Sequence, residues 1–153
     1  MVRDAEPMFI SHSLHLQHPL DRCIAALARG PRTWFPGLSD DKVSPVGVRV
    51  AGVPVRKRVS VELGEPASIG NWVEIPLTWT ATSARKLFPV LTGKVVMAPV
   101  EPGVTRLTVS GMYEPPFGRL GREIDEVLMH SVADATIKDL AESIAERLEG
   151  VVA

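Results

Sequence analysis

Tyr113-Glu-Pro-Pro-Phe-Gly-Arg-Leu-Gly-Arg122, with the apolar repeat that runs from it to Glu149, is the stretch that decides the fold. The paired prolines end a strand, because neither can continue a ladder and each pushes the residue before it into extended geometry. Gly118 offers the turn. Beyond it Leu120, Ile124, Leu128, Val132, Thr136, Leu140, Ile144 and Leu148 recur every fourth residue. A helix advances about 100° per residue, so this spacing moves the stripe about 40° round the axis at each step. A seven-residue repeat would hold its stripe nearly still. Arg119, Arg122, Glu123 and Glu126 oppose the early stripe, and Lys138, Asp139, Glu142 and Glu146 the late one. Val127, Ala133, Ile137 and Ala141 widen it, so that 128–137 is apolar over most of its circumference. The pattern predicts about eight turns of helix crossing a twisted, curved sheet, or bent near Ser131. Gly150 stands where a C-terminal cap glycine is expected.

The rest of the chain supplies that sheet. Met8 to Leu16 reads as a first strand, with Ile10, His12, Leu14 and Leu16 on one face. Pro19 suits the first turn of a helix whose face is Leu20, Ile24, Leu27 and Ala28, and Gly30-Pro31 ends it. Thr33-Trp34-Phe35-Pro36 reads as a second short helix or a turn, and 38–43 as a loop. Val46, Val48 and Val50 alternate until Ala51-Gly52 and Pro54 break the run. Val55 to Leu63 alternates again and stops at Gly64-Glu65-Pro66. A third run covers Asn71 to Thr82, with Val73, Ile75, Leu77 and Trp79 on one face. Pro76 points to an edge strand or a bulge there. Lys94 to Val100 and Thr105 to Tyr113 flank Glu101-Pro102-Gly103-Val104, a hairpin turn. Five or six strands in succession without intervening helices favour an antiparallel sheet, hence α+β.

The 153 residues suit one domain, 1–153, with one sizeable core. A formal net charge of −1 gives no case for nucleic acid or membrane. The charge is uneven. Residues 114–149 hold nine acids and four bases, net −5, and the residues before them nine acids and thirteen bases, net +4. An acidic helix on a basic sheet accounts for this. Cys23 is the one cysteine, which excludes an internal disulfide and a multi-cysteine metal site and suits a reducing compartment. The N-terminus lacks a secretion signal's apolar core, and no apolar run approaches the ~20 residues of a membrane span. These features point to a soluble cytoplasmic protein.

Leu87-Phe-Pro-Val-Leu-Thr-Gly93, Gly111-Met-Tyr-Glu-Pro-Pro-Phe-Gly118, Asp125 and His130, in this order of elements, resemble the SRPBCC superfamily, which is START-like and includes polyketide cyclases and pollen allergens. They are similar to uncharacterised actinobacterial-type members. Element order carries the likeness over the whole chain, and residue-level likeness begins at Leu87. The resemblance implies a helix-grip fold: a curved antiparallel sheet wrapped on a long C-terminal helix, with two short helices after the first strand. It also implies a cavity between sheet and helix for an apolar molecule such as a lipid, sterol or polyketide. The glycine-rich loop of the allergen branch is absent, since Val46-Gly-Val-Arg-Val-Ala-Gly-Val53 has two glycines in another pattern. No catalytic motif can be matched.

Methionine and aromatic side chains make adaptable apolar linings with a few polar handles. On that ground Trp34, Phe35, Trp79, Met97, Tyr113, Leu128, Met129 and Val132 are the expected lining, against plain core packing. Met112 and Tyr113 face opposite ways on a strand, so only one of them can contribute. His12 and His15 also diverge and cannot share a metal in ordinary geometry, so these two and His18 read as surface or locally bonded histidines. His130, with Asp134 one turn on, would serve as a general base if it faced the cavity, but it opposes the apolar stripe. Arg56-Lys57-Arg58 lacks the interleaved aromatics of a nucleic-acid surface. There is no Gly-x-Ser-x-Gly elbow and no phosphate loop. The expectation is a binder of a hydrophobic small molecule without metal or cofactor. A cyclase or dehydratase using Tyr113 or His130 and a homodimeric module with a filled core are the alternatives.

Overall fold

The computed structural model describes residues 8–35, 43–50, 53–81, 90–114 and 126–152; the side chains of 8, 43–50, 53–60, 80, 81, 90, 113, 114, 126–130 and 132 lie outside the described set. In chain order the elements are β1 (Met8–Leu16), α1 (Leu20–Leu27), α2 (Pro31–Trp34), β2 (Val43–Val50), β3 (Val53–Leu63), β4 (Ala67–Ile69), β5 (Trp72–Ala81), β6 (Val90–Glu101), β7 (Val104–Glu114) and α3 (Glu126–Val152). The strands form one seven-stranded sheet in the order β1-β7-β6-β5-β3-β2, with β4 also paired to β5. Every pairing is antiparallel.

α3 packs on β1 and β7 and also on β2. β1 and β2 stand at opposite ends of the strand order. A sheet whose two ends both reach one helix has to curl around it, and this is the helix-grip arrangement. The lengths match: 27 helical residues span about 40 Å and the 11 residues of β7 about 36 Å. α3 therefore runs the length of the trough. Its buried residues Ala133, Thr136, Ile137, Leu140, Ala141, Ile144 and Leu148 follow the expected stripe from its midpoint onward. The earlier half of the stripe lies outside the described side chains.

Several expectations are corrected. Gly150 is not a cap, because α3 continues through Val152. The face that α1 buries is Cys23, Ala26 and Leu27, leaving Ile24 and Ala28 exposed. Alanines on several sides of so short a helix let neighbouring packing choose the face. Pro54 lies inside β3, opposite Arg49 of β2, and does not break it. β4 is an addition to the expected strands: three exposed residues with no alternation to read.

Pro76 sits in an internal strand rather than at the expected edge or bulge. β3 stops pairing with β5 at Leu63↔Leu77 and β4 begins at Ala67↔Glu74, so Pro76 falls at the break between them. Its carbonyl accepts from the Gly64 N–H at 2.9 Å, which puts its N–H-less nitrogen on the side of that break. The pairing with β6, Pro76↔Lys94, loses nothing.

The β6–β7 hairpin turns as expected through Pro102-Gly103, with Glu101 paired to Val104 and Gly103 at φ 82°. That positive φ requires a glycine. A bulge between Pro99 and Glu101 precedes the turn. Gly93 and Gly111 face each other across β6 and β7. A Cβ on Gly93 would lie 2.0 Å from the Ser110 carbonyl oxygen, so β6 and β7 approach there as only glycine permits.

Candidate ligand site

The inward face of the sheet is a grid. One row reads Tyr113–Leu91–Trp79–Val61, the next Ile10–Gly111–Gly93–Leu77–Leu63, then His12–Val109–Val95–Ile75, then Leu14–Leu107–Met97–Val73. Alternation along each strand puts these residues on one side, and most of those with described side chains are buried, with His12, Leu14, Leu63 and Gly93 half-buried. Met112, one step out of phase, is exposed on the outer face. Of the pair Met112 and Tyr113, Tyr113 holds the register position opposite buried Leu91; its side chain lies outside the described set.

This grid separates the expected lining residues. Met97 pairs with Val73, six residues along β5 from Trp79, so the two lie about 20 Å apart along the sheet. Trp79 shares its row with the Tyr113 position, at the end of β7 from which the chain leads to α3. Leu128, Met129 and Val132 lie on the first two turns of α3, about 25–30 Å along the axis from Glu149. Glu149 in turn is tied to His18 at the other end of the trough. Trp79, the Tyr113 position and the start of α3 therefore share one end, and Met97 belongs to the other. Trp34 and Phe35, at the end of α2, are buried in the same continuous core as Trp79 and Met97. Their rings meet edge to face at 6.0 Å and 69°.

The Met97 end is closed. Met97, Leu107, Leu16 and Cys23 keep at most 2% of their surface. A polar chain that spacing alone could not reveal secures it. His18 Nε2 and Glu149 Oε2 stand 2.7 Å apart, joining the loop after β1 to the last turns of α3. The Thr105 hydroxyl, fully buried at the start of β7, donates to the His18 carbonyl at 2.8 Å. The Cys23 thiol lies beside Thr105 in turn. Burial pushes that thiol above its ordinary 9.0; the neighbouring Thr105 hydroxyl opposes this, and the Glu149 and Asp21 carboxylates add to it. His18 is thus a locking residue between segments 131 positions apart.

His12 lies on the inward face between buried Ile10 and half-buried Leu14 and keeps part of its own surface, while His15 points outward and is exposed. The side chains of His130, Arg56, Lys57 and Arg58 lie outside the described set. Among the described residues no three His, Cys, Asp or Glu side chains converge as metal ligands. No helix of the described residues is long and apolar enough to cross a membrane.

No protein-family model matches the chain. No curated protein matches it either. Solved structures do. The Zhui aromatase/cyclase from Streptomyces sp. R1128 aligns with 97% of this chain and 97% of its own, at 18% identity and TM-score 0.55. TTHA0849 from Thermus thermophilus covers 95% of this chain and 100% of its own, at 17% identity and TM-score 0.55. Ara h 8.0201 covers 96% and 98%, at 12% identity and TM-score 0.51. Identities this low speak for the fold alone. The likeness extends over nearly the whole chain, and what it shows is the fold described above, an α+β helix-grip in which both ends of a curved antiparallel sheet reach one long C-terminal helix.

Proposed function

We propose that residues 1–153 form one helix-grip domain that binds a hydrophobic small molecule of the lipid or polyketide class at the Trp79 end of the trough. One observation carries this reading: α3 covers a largely buried apolar sheet face whose Val61–Trp79–Leu91 row lies at the end where α3 begins. Trp79, Tyr113, Leu128, Met129 and Val132 are the proposed lining, with Trp34 and Phe35 as core support and Met97 as the closed wall. The lone buried Cys23 suits the reducing cytoplasm. The Streptomyces neighbour is an aromatase/cyclase, which favours as second reading a cyclase-type reaction in the same space, with Tyr113 as the polar group. Exposed Phe9 and Met112, directly paired across β1 and β7, favour a third in which the outer sheet face mates two copies.

The test is displacement of an apolar fluorescent probe by fatty acids and aromatic polyketides, with native mass spectrometry of freshly purified protein. Saturable uptake that weakens in Trp79→Ala supports the binding reading. Turnover of a poly-β-keto substrate, lost in Tyr113→Phe while binding persists, supports the enzyme. Absence of uptake and of co-purified ligand, with a dimer mass that Phe9→Ser abolishes, overturns both in favour of the dimer.

A further inference from the structure

Away from the sheet–helix interior, a groove of about 170 Å³ runs between α1 and the end of α3, lined by Arg22, Ala25, Ala26, Arg29, Val151 and Val152. Arg22, Ala25 and Ala26 share one side of α1, and the turn after the helix, where the Arg29 N–H bonds the Ala26 carbonyl, brings Arg29 to that side. The floor is four small apolar side chains and the walls are two cationic ones. Both arginines are exposed, and neither guanidinium has a hydrogen-bond or ion-pair partner among the described residues. Glu149, the acid of α3 nearest this end, is turned to His18 at 2.7 Å.

We propose that this groove binds the carboxylate end of a short apolar acid. The guanidinia supply donors shaped for a carboxylate, and the alanine–valine floor takes a short aliphatic or aromatic segment. The volume lies below the ~300–1,000 Å³ of sites for drug-sized ligands, so the occupant is of fragment size. A bare anion would leave the floor uncovered, and a neutral amphiphile would leave both cations unmatched.

Hexanoate, hexanol and inorganic phosphate test the idea by NMR titration, read at the Val151 and Val152 methyls, the Arg22 and Arg29 Nε–H signals and the Trp79 indole. Hexanoate is expected to shift the valine and arginine signals saturably, with hexanol and phosphate each about tenfold weaker. Arg22→Gln/Arg29→Gln should abolish the saturation while leaving the melting temperature unchanged. No saturable shift at the valines, equal affinity for hexanol or phosphate, or full binding by the double variant each overturns the proposal. Shifts confined to the Trp79 indole do so as well, since they report the interior site and not the groove.

Discussion

Replacing Gly93 by alanine perturbs a point where the neighbouring strands β6 and β7 come close together. The new Cβ would stand 2.0 Å from the Ser110 carbonyl oxygen, 2.6 Å from Gly111 Cα and 2.8 Å from the Ser110 carbonyl carbon. All three are backbone atoms in a central strand, so no rotamer change relieves the overlap. Reaching an ordinary contact of 3.4 Å requires a separation of about 1.4 Å where strands normally sit about 4.8 Å apart. That disrupts roughly two ladder hydrogen bonds and the packing of Leu91 and Val95, a loss of about 3–5 kcal/mol. For a chain of this size the melting temperature should fall by about 10–15 °C. Gly111→Ala is the graded comparison: its Cβ meets the Leu91 side chain at 2.9 Å and the Thr92 oxygen at 3.1 Å, and a side chain can move, so about 1–2 kcal/mol is expected. Gly150→Ala is the control. Nothing lies within 4 Å of its Cβ inside α3, so it should stabilise by about 0.5–1 kcal/mol. Urea unfolding followed by tryptophan fluorescence measures all three. A Gly93→Ala protein within about 1 kcal/mol of wild type, with unchanged m, would refute the close-approach argument.

Other consequences can be checked alongside. The Cys23 thiol titrates at higher pH in the folded chain than in the unfolded one, so its contribution is full below about pH 9 and is lost as pH rises from there through the folded value; melting temperatures should drop above pH 9, and Cys23→Ala should flatten the drop. Thr105→Val leaves the His18 carbonyl without its 2.8 Å donor in a buried site, for a loss of about 1–3 kcal/mol by chemical denaturation. Glu149→Gln weakens a part-exposed pair and should cost only about 0.5–1 kcal/mol, read in the same assay. Pro76→Ala should stay within about 0.5 kcal/mol of wild type, because its nitrogen faces the break between β3 and β4.

The parts of the fold that could be read in advance are those where one period dominates. β1 alternates only weakly in residue type, yet it begins and ends where expected, at Met8 and Leu16. The Pro-Gly hairpin and the late stripe of α3 also fall where expected. Reading fails where a feature depends on a distant neighbour. Pro76 is tolerated because of where β3 and β4 happen to stop, and no local rule at residue 76 contains that information. Gly93 and Gly111 resemble ordinary strand glycines until register sets them face to face. Composition likewise marks Trp79 and Met97 as similar, and only the ladder shows that they stand about 20 Å apart along the sheet. Spacing groups His18 with surface or locally bonded histidines. Its actual partner, Glu149, is 131 positions away, beyond the reach of spacing arguments.

The pairing of β1 with β7 bears on how the protein is made. Ser13 and Thr108, bonded at 2.7 Å, are separated by 95 residues. At translation rates of ~5–20 residues per second, the first strand leaves the ribosome about 5–20 s before its partner exists. During that interval Phe9, Ile10, Leu14 and Leu16 belong to an unmatched segment of high β-propensity, and closure depends on the last third of the chain. Slowing initiation, which lowers the concentration of such unmatched chains, should raise the yield of folded protein, and a nascent chain stalled before Val104 should be held by chaperones.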